Sequence, residues 1–287
     1  METFHEVLGP WSLATSRRFW EGFAPAALPA NETGGHLHTV FLAEADWQRV
    51  EATVHQAGDT ARISVTGPGD LEAATEQVRR FVSLDIDARD WPAVGRRDPV
   101  IAEAQRLLPG LRPCGFHSPY EAAAWSVLSQ RIRMSQAARL SSDLTSRLGA
   151  DGAFPSPQVL RGLTLDLPGR KADYLHAVAD AALAGVLDGP SLRALPAGEA
   201  LEQIQSVHGL GPFAAELVLI RGANAPDVFP HTEGRLSAEI VEKYGAELAP
   251  SDVADAWRPF RSWAGVHLRA LRELRTHEIE RGAAFPR

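Results

Sequence analysis

The chain has 287 residues, 45% of them hydrophobic and 23% charged, with a formal net charge of −7. This is the composition of a soluble globular protein, and the lack of any apolar run near twenty residues excludes a membrane-spanning helix. The N-terminus has no basic segment followed by an apolar stretch, so no secretion signal is predicted and we expect a cytoplasmic protein. The single cysteine, Cys114, excludes an internal disulfide and a four-cysteine metal or iron–sulfur site.

The net charge counts against a nucleic-acid partner, because phosphate contacts usually call for an excess of Lys and Arg. The acidic excess lies mainly at the start: residues 1–98 carry 15 acidic and 9 basic side chains, whereas residues 99–287 carry 21 and 20. In the second range, Arg131, Arg133 and Arg139 indicate a local basic face. The net charge therefore argues against a nucleic-acid function but does not exclude one.

Residues 1–98 are predicted to form a mixed α and β domain. A helix over 70–84 has apolar residues at helical intervals and Asp70 as its N-cap. Before it, three short β-rich runs alternate partly between apolar and polar side chains, at 36–44, 49–56 and 60–67. The sequence thus predicts a small antiparallel sheet with one or two helices.

Residues 99–287 are predicted to be all-α. The first clear helix start is Ser118-Pro119-Tyr120-Glu121, where Ser is the N-cap, Pro takes the first helical position and Glu completes a capping box. Helical periodicity then continues to Gly149, a natural stop. Further helices, separated by short polar or Pro/Gly connections, are predicted at 170–186, 197–206, 212–222, 234–244, 251–263 and 264–280.

Two of these helices are joined by a glycine-containing turn. The first helix ends near Val207, the turn is His208-Gly209-Leu210-Gly211, and Pro212 begins the second helix. The glycines allow a sharp turn and leave amides uncovered at a helix N-terminus, where a DNA phosphate can be held without reading sequence. The same turn also fits a simple αα-hairpin that needs Gly for its geometry.

The segment after the second helix, Asp227-Val-Phe-Pro-His-Thr-Glu233-Gly-Arg-Leu, places Pro and an acid in a loop that opens a further helix. Hairpin, helix, loop and acid together resemble the signature of helix-hairpin-helix DNA glycosylases, and most closely the 3-methyladenine DNA glycosylase II family. Three other segments resemble that family in the same order. GPWSLATSRRFW is similar to the start of its sheet domain, SVLSQRIRMSQAARL to the helix leading into its DNA-intercalating loop, and ADAWRPFRSWAGVHLRAL to its C-terminal helix pair.

The resemblance covers nearly the whole chain and implies a fold and an activity. The fold would be α+β: a small antiparallel-sheet domain (1–98) and a mainly α helix-hairpin-helix glycosylase domain (99–287) of two helical lobes with a cleft between them. The activity would be monofunctional hydrolysis of the N-glycosidic bond of N3- or N7-methylated purines in double-stranded DNA, as in base excision repair. The target base would be flipped out of the duplex first. We expect a monomer.

Glu233 is the predicted catalytic residue, because the family's catalytic acid falls at this position. The family usually has Asp here, and Glu keeps the charge but moves the carboxylate by roughly 1.5 Å. A fixed carboxylate would stabilise the positive charge that builds on the sugar as the bond breaks. Without the resemblance, Glu233 would be interpreted as an acid in a first helical turn, favoured by the helix dipole. Asp227 is the next acid to test.

The resemblance also implies contacts to DNA and to the flipped base. Arg131 falls where the family has the apolar wedge that fills the vacated position, and Arg269 falls where an aromatic residue lines the base pocket. Trp263 could be core or pocket. The predicted DNA-binding residues are Gly209, Gly211, Ala214, Gln130 and Arg131, and the predicted base-pocket residues are Phe213, Trp263 and Arg269.

Glycosylases that also cut the DNA backbone place a Lys nucleophile two residues after the second hairpin Gly. Phe213 stands there, so no lyase activity is predicted. The resemblance implies that the backbone carbonyls of Gln205, Val207 and Gly209 could hold a structural Na⁺ or K⁺, and no cofactor is expected to be required. His36 and His38 have no acidic or Cys cluster beside them, so no transition-metal site is predicted.

Two other functions stay open from the sequence. The Glu in place of Asp, together with Arg269, is compatible with a non-catalytic DNA-lesion-binding protein that kept the fold and lost the chemistry. A helical interaction protein with no nucleic-acid role would require the hairpin to be accidental. Base release from methylated DNA separates the enzyme from both.

Overall fold

The computed structural model describes residues 1–21 and 35–277. Its N-terminal part contains a four-stranded antiparallel sheet in the order β1-β4-β3-β2. The strands are β1 (Glu2–Glu6), β2 (His36–Leu42), β3 (Arg49–Ala57) and β4 (Thr60–Thr66). The last three match the predicted runs. β1 was not predicted, because it forms by pairing with a strand far along the chain, with Glu2 opposite Ser64.

One face of the sheet is covered by helices. Burial alternates along β2, β3 and β4, as expected of strands with one buried face. Helix α1 (Leu13–Glu21) packs on β2 and α2 (Leu71–Phe81) packs on β4. Asp70 is the N-cap of α2, as predicted, and its carboxylate accepts hydrogen bonds from the backbone N–H groups of Glu72 and Ala73 at 3.1 and 3.0 Å.

The rest of the described chain is mainly helical. Its helices are α3 (Trp91–Arg97), α4 (Pro99–Leu107), α5 (Pro119–Leu128), α6 (Met134–Leu148), α7 (Pro157–Gly162), α8 (Lys171–Leu183), α9 (Gly189–Ala194), α10 (Ala197–Gln205), α11 (Pro212–Leu217, continued by a π-helical turn Val218–Gly222), α12 (Gly234–Tyr244), α13 (Pro250–Asp255) and α14 (Arg261–Thr276). The α+β fold class predicted from the sequence is thus confirmed. Within the described ranges, no helix is long and apolar enough to cross a membrane.

Two local predictions are corrected by the structure. The helix predicted over 251–263 is broken into α13 and α14, because Pro259 has no N–H to donate and its ring clashes with a preceding helical turn. The capping box at α5 is half formed. The Ser118 hydroxyl accepts from the Glu121 N–H at 3.1 Å, but the Glu121 carboxylate binds His117 Nδ1 at 2.9 Å instead. The end of the helix predicted over 264–280 lies outside the described residues from 278 onward.

The helical part contains two separate hydrophobic clusters. One is built mainly from α5, α8, α10 and α11. The other combines α3 and α4 with α12, α13 and α14. The loop between α11 and α12 joins the two clusters, and it carries Glu233 at its end. The division of the chain at residues 98 and 99 stays a prediction.

Arg112 connects the sheet-bearing segment to the C-terminal helix. It is fully buried, and its guanidinium donates to the backbone carbonyls of Leu8, Pro10, Ser83 and Ile86 at 2.6 to 3.1 Å. The same guanidinium lies 5.6 Å from the centre of the Trp263 ring. Burial lowers the pKa of Arg112 to about 10. A cation is retained in this interior because four carbonyls surround it.

Candidate functional site

The turn between α10 and α11 has the geometry of a tight hairpin. Leu210 N–H donates to the Val207 carbonyl at 3.0 Å, and both side chains are buried beneath the turn. Gly209 has φ +95°, and a Cβ there would lie 2.4 Å from Cγ of Tyr174. The fold itself therefore requires Gly at 209.

Gly211 differs from Gly209, because the fold does not require a glycine there. Its φ of −91° is open to any residue, and a Cβ would meet nothing within 4 Å. The residues that follow, Pro212 and Phe213, are also exposed. The start of α11 thus presents bare backbone to solvent, which allows close approach by an external group.

The α5–α6 loop, residues 129–133, lies against this hairpin. Gln130 Nε2 donates to the Gly209 carbonyl at 2.9 Å, so the loop and the hairpin converge as predicted. Arg131 is exposed and has φ +57°, a left-handed conformation that is uncommon for a residue other than Gly. Backbone strain of this kind persists where the surrounding structure holds it, and it is frequent at functional sites.

Lys171 supports the α5–α6 loop from inside the protein. Its ammonium donates to the carbonyls of Val127, Leu128 and Gln130 at 2.8 to 2.9 Å, which uses all three of its N–H groups. The side chain is 7% exposed, and burial lowers its pKa. Lys171 therefore caps the C-terminal end of α5 and fixes the backbone on which Arg131 stands.

Glu216 supports the α11–α12 loop in a comparable way. It lies on α11, is 6% exposed, and accepts hydrogen bonds from the His231 N–H at 3.0 Å and the Thr232 N–H at 2.9 Å. The Thr232 hydroxyl also donates to it. The second hairpin helix thus holds the residue directly before Glu233, so hairpin and acid belong to one connected region.

Glu233 itself is the N-cap of α12. Its carboxylate accepts a hydrogen bond from the Leu236 N–H, and Oε2 lies 3.3 Å from Nε of Arg269. The Glu233 side chain is 25% exposed and the Arg269 side chain 18%. The structure therefore gives Glu233 the role of a helix cap and also an open path to solvent. A carboxylate held by a helix N-terminus and a guanidinium has a fixed position, which electrostatic stabilisation requires.

The predicted pocket residues are in different environments. Arg269 contacts Glu233, and Phe213 is 52% exposed near the hairpin. Trp263 is 1% exposed and packs edge-on against Trp91, with ring centres 5.8 Å apart. The structure places Trp263 in the core, one of the two alternatives that the sequence left open. Ala214, predicted at the DNA interface, is 6% exposed and packs beneath the hairpin.

Asp227, the alternative acid, is engaged elsewhere. Its carboxylate lies 2.9 Å from Nε of Arg261 and accepts from the Arg261 N–H at 3.2 Å, at the start of α14. Its backbone carbonyl accepts from the same guanidinium at 2.7 Å. Asp227 thus fixes the entry to α14, whereas Glu233 lies beside the hairpin helix.

A cavity of about 440 Å³ lies between the sheet and α6–α7, away from this site. Trp47, Arg49, Leu148 and Val159 are among its lining residues. None of the residues that line it is Glu233, Arg131 or a hairpin residue. In the part of the chain that the structure describes, no group of three or more His, Cys, Asp or Glu could hold a metal ion.

Sequence comparison relates the chain to bacterial repair enzymes, although no protein-family model matches it. It is 23% identical to the DNA-3-methyladenine glycosylase of Bacillus subtilis over 208 residues, which is 67% of this chain and 69% of that protein. It is 27% identical to DNA-3-methyladenine glycosylase 2 of Escherichia coli over 176 residues, 56% of this chain and 60% of that protein. The chain thus aligns with between 60 and 69% of these two relatives.

Structural comparison extends over more of the chain. A 3-methyladenine DNA glycosylase from Archaeoglobus fulgidus matches 96% of this chain and 99% of its own, with a TM-score of 0.72 and 17% identity. An 8-oxoguanine glycosylase/lyase from Clostridium acetobutylicum, solved with double-stranded DNA, matches 96% and 98% with a TM-score of 0.65 and 15% identity. The fold is that of the helix-hairpin-helix DNA glycosylases. The two sequence relatives described above are named as DNA-3-methyladenine glycosylases, and together with the fold they confirm the predicted resemblance.

Proposed function

We propose that this protein is a DNA glycosylase that removes alkylated bases from double-stranded DNA. The observation that carries the proposal is the direct link between the hairpin helix and the acid: Glu216 on α11 binds the loop that ends at Glu233. Two sequence relatives bear the name DNA-3-methyladenine glycosylase, and a protein with the same fold has been solved on DNA. We further propose that it acts as a monomer.

The hairpin is proposed to hold a DNA phosphate through the amides of Gly209 and Gly211. The open space around Gly211 supports this, because a phosphate oxygen must come within about 3 Å of an N–H group. Arg131 would enter the duplex at the vacated position, since it is exposed on the loop bound to the hairpin. The flipped nucleotide would then lie between this loop and Glu233.

Glu233 is proposed to stabilise the positive charge that develops on the sugar as the glycosidic bond breaks. N3- and N7-methylated purines carry a positive charge and leave readily, so one fixed carboxylate, which also orients water, could suffice. The proposed lesions are therefore these methylpurines. The contact with Arg269 neutralises part of the Glu233 charge, so we expect Arg269 to move away from the carboxylate when the nucleotide enters.

The reaction is proposed to stop at base release. Phe213 occupies the position of a lyase nucleophile, and Lys171, the nearby amine, is buried with its three N–H groups bound to carbonyls. An amine in that state cannot attack the sugar without leaving the loop it supports. A nick in the DNA after base release, without added base or heat, would contradict this.

A monovalent cation is proposed to fit the hairpin carbonyls of Gln205, Val207 and Gly209. The Val207 carbonyl accepts from Leu210 N–H and the Gly209 carbonyl from Gln130, and each carbonyl oxygen has a second lone pair for a cation. Three neutral oxygens suit Na⁺ or K⁺. The ion would stiffen the turn and add positive charge beside a phosphate.

The test is base release from methylated double-stranded DNA by the wild type, Glu233→Gln and Glu233→Asp. Glu233→Gln keeps the size and removes the charge, so base release should fall by about 10²–10³-fold while DNA affinity stays near that of the wild type. Glu202→Gln, an exposed carboxylate on α10, is the matched control and should release base normally. Full release by Glu233→Gln would show that Glu233 is not catalytic, and DNA binding without release by the wild type would favour the lesion-binding protein.

Glu233→Asp reports how the site is built around the longer side chain. If the backbone matches that of the Asp-containing relatives, Asp should be tolerated or more active. If the cap and the Arg269 contact have set the site for Glu, the carboxylate retracts by roughly 1.5 Å and activity falls. The contacts to Leu236 and Arg269 support the second result.

A further inference from the structure

Glu216 is a buried carboxylate that the proposed chemistry does not use directly. It lies in the apolar run Phe213-Ala-Ala-Glu-Leu-Val-Leu-Ile220, and carboxylates are seldom buried there unless they are fully hydrogen-bonded. Its two oxygens accept three bonds, from two N–H groups and one hydroxyl. Because Glu216 is buried and both of its oxygens already accept hydrogen bonds from the loop, it is not placed to contact a substrate.

The donors that face Glu216 explain why an acid is needed there. Both oxygens must accept, because His231 N–H reaches Oε1 while Thr232 N–H and Oγ1 reach Oε2. Gln has nearly the same size but only one accepting oxygen, and its NH₂ group would face an N–H donor. Charge-assisted bonds to a carboxylate are also about twice as strong as neutral ones.

We propose that Glu216 is a positioning residue that fixes the Glu233 carboxylate for base release by holding the backbone of His231 and Thr232. This inference rests on the proposed function and extends it by one residue. The Glu233 side chain is directed by the Leu236 N–H and Arg269, but its backbone position is set by the preceding residue, which Glu216 holds. A displacement of about 1 Å at a reacting group can cost about 10²-fold in rate.

The position of Glu216 also connects DNA contact to chemistry. It lies little more than one turn from Pro212, where α11 leaves the hairpin, so the bound phosphate and the acid are fixed to the same short helix. Movement of the hairpin relative to the acid would have to break three hydrogen bonds to a buried charge. The distance between the phosphate contact and the acid is thereby held constant.

The experiment compares Glu216→Gln with the wild type and with Glu202→Gln, which removes one exposed acid from the preceding helix. Single-turnover base release from methylated DNA should fall by about 10–100-fold in Glu216→Gln, with DNA affinity changed less than about twofold. The rate of base release by Thr232→Val should fall about two- to fivefold, because one of the three hydrogen bonds to Glu216 is removed. Thr232→Ser keeps the hydroxyl and should retain the wild-type rate.

The double variant Glu216→Gln/Glu233→Gln tests whether Glu216 acts through Glu233. If it does, the double variant loses no more than Glu233→Gln alone, because the positioned group is already disabled. The proposal would be overturned if the fold-loss of the double variant equals the product of the two single-variant losses. It would also be overturned if Glu216→Gln releases base at the wild-type rate while Glu233→Gln is impaired.

Amide hydrogen exchange of the peptide that contains residues 231–233 gives a readout that does not depend on activity. Exchange should be faster in Glu216→Gln than in the wild type and Glu202→Gln. Equal exchange in all three proteins would overturn the proposal that Glu216 holds this loop. If the wild type releases no base, the proposed function fails, and the exchange result still decides whether Glu216 holds the loop.

Discussion

The two loops that border the candidate site are each held by a buried charged side chain, and the charges have opposite signs. Lys171 binds the last two carbonyls of α5, which lack helical partners, and the carbonyl of Gln130 in the α5–α6 loop. Glu216 binds N–H groups in the α11–α12 loop, just before a helix whose first N–H groups lack helical partners. The sign of each charge matches the backbone groups that the loop presents.

The difference between the loops is in what each one carries. The α5–α6 loop carries an exposed cation, Arg131, and its support ends at the backbone beneath that residue. The α11–α12 loop carries an acid that is itself a helix cap, so Glu233 is held through its own side chain and through the backbone of the preceding Thr232. Tighter support for the acid is expected, because chemistry is more sensitive to position than insertion between bases is.

The largest expected loss of stability comes from removing the cation that supports the α5–α6 loop. In Lys171→Met the carbonyls of Leu128 and Gln130 lose their buried donor, at about 1–3 kcal/mol for each unsatisfied group, so unfolding should require about 3 kcal/mol less. Lys243→Met, at an exposed position on α12, should change stability by less than about 0.5 kcal/mol. A denaturant titration measures the stability of both variants. Equal unfolding midpoints would show that Lys171 does not support the loop.

The hairpin glycines should separate a structural requirement from a contact requirement. Gly209→Ala places a Cβ against Tyr174 at a positive φ and should cost about 2 kcal/mol of stability. Gly211→Ala should leave stability within about 0.5 kcal/mol. Gly211→Val should weaken binding to all DNA sequences alike, because phosphate contacts carry no sequence information. Loss restricted to some sequences would argue against phosphate binding at Gly211.

His267 on α14 is a useful contrast to Lys171 and Glu216, because it is buried in its neutral form and has no charge that needs partners. Burial lowers the pKa of His267 to about 4, and Nδ1 lies 2.8 Å from the Trp263 carbonyl. Since an unfolded His has a pKa of about 6.5, the unfolded chain binds the proton first as pH falls. This contribution to the free energy of unfolding is present above about pH 6.5 and is lost toward pH 4, by about 2 kcal/mol between pH 7 and 5.

The measurement for His267 is the difference between wild type and His267→Asn. Burial raises the pKa of Glu44 to about 7, so Glu44 makes the protein more stable as pH falls over the same range, opposite to His267. Both proteins contain Glu44, so its contribution cancels in the difference between them. Denaturant unfolding at pH 5 and pH 7 gives the two values. Identical pH dependence in both proteins would show that His267 is not held neutral.

The smallest expected effect concerns what the α5–α6 loop presents. Arg131→Ala should lower base release about tenfold, or about 1.4 kcal/mol, because the vacated position in the duplex is no longer filled. Arg147→Ala removes the same charge at the far end of α6 and should behave as the wild type. If Arg131→Ala changes neither affinity nor base release, Arg131 is not the inserted residue.

Much of the fold could be predicted because it depends on local signals. The N-cap at Asp70 and the start of α5 at Pro119 follow from neighbouring residues, and helix 234–244 was predicted with its observed bounds. The start of α4 at Asp98-Pro99 carries the same kind of N-cap and Pro signal and could have been found. β1 could not, because its partner strand is remote in sequence.

The sequence indicated the parts of the candidate site that lie in a recognisable motif. It did not indicate the residues that act through contacts between distant segments. The hairpin and Glu233 stand out in the sequence, whereas Lys171 acts on carbonyls more than forty residues earlier in the chain. Glu216 had one visible signal, an acid inside an apolar helical run. The direction of a side chain, as at Trp263, is decided by packing between elements and is not encoded in local spacing.

The buried guanidinium of Arg112 has a consequence for how the molecule can be divided. All four carbonyls that it binds belong to residues 1–98, while Arg112 itself follows that segment. A chain expressed from residue 99 onward would therefore contain a cation without acceptors, directly beneath the Trp263 ring. Such a fragment should be insoluble or should unfold, even though every proposed DNA contact lies within it. Co-expression with a separate 1–98 fragment should restore it, so the acidic third of the chain would behave as an intramolecular folding partner for the rest.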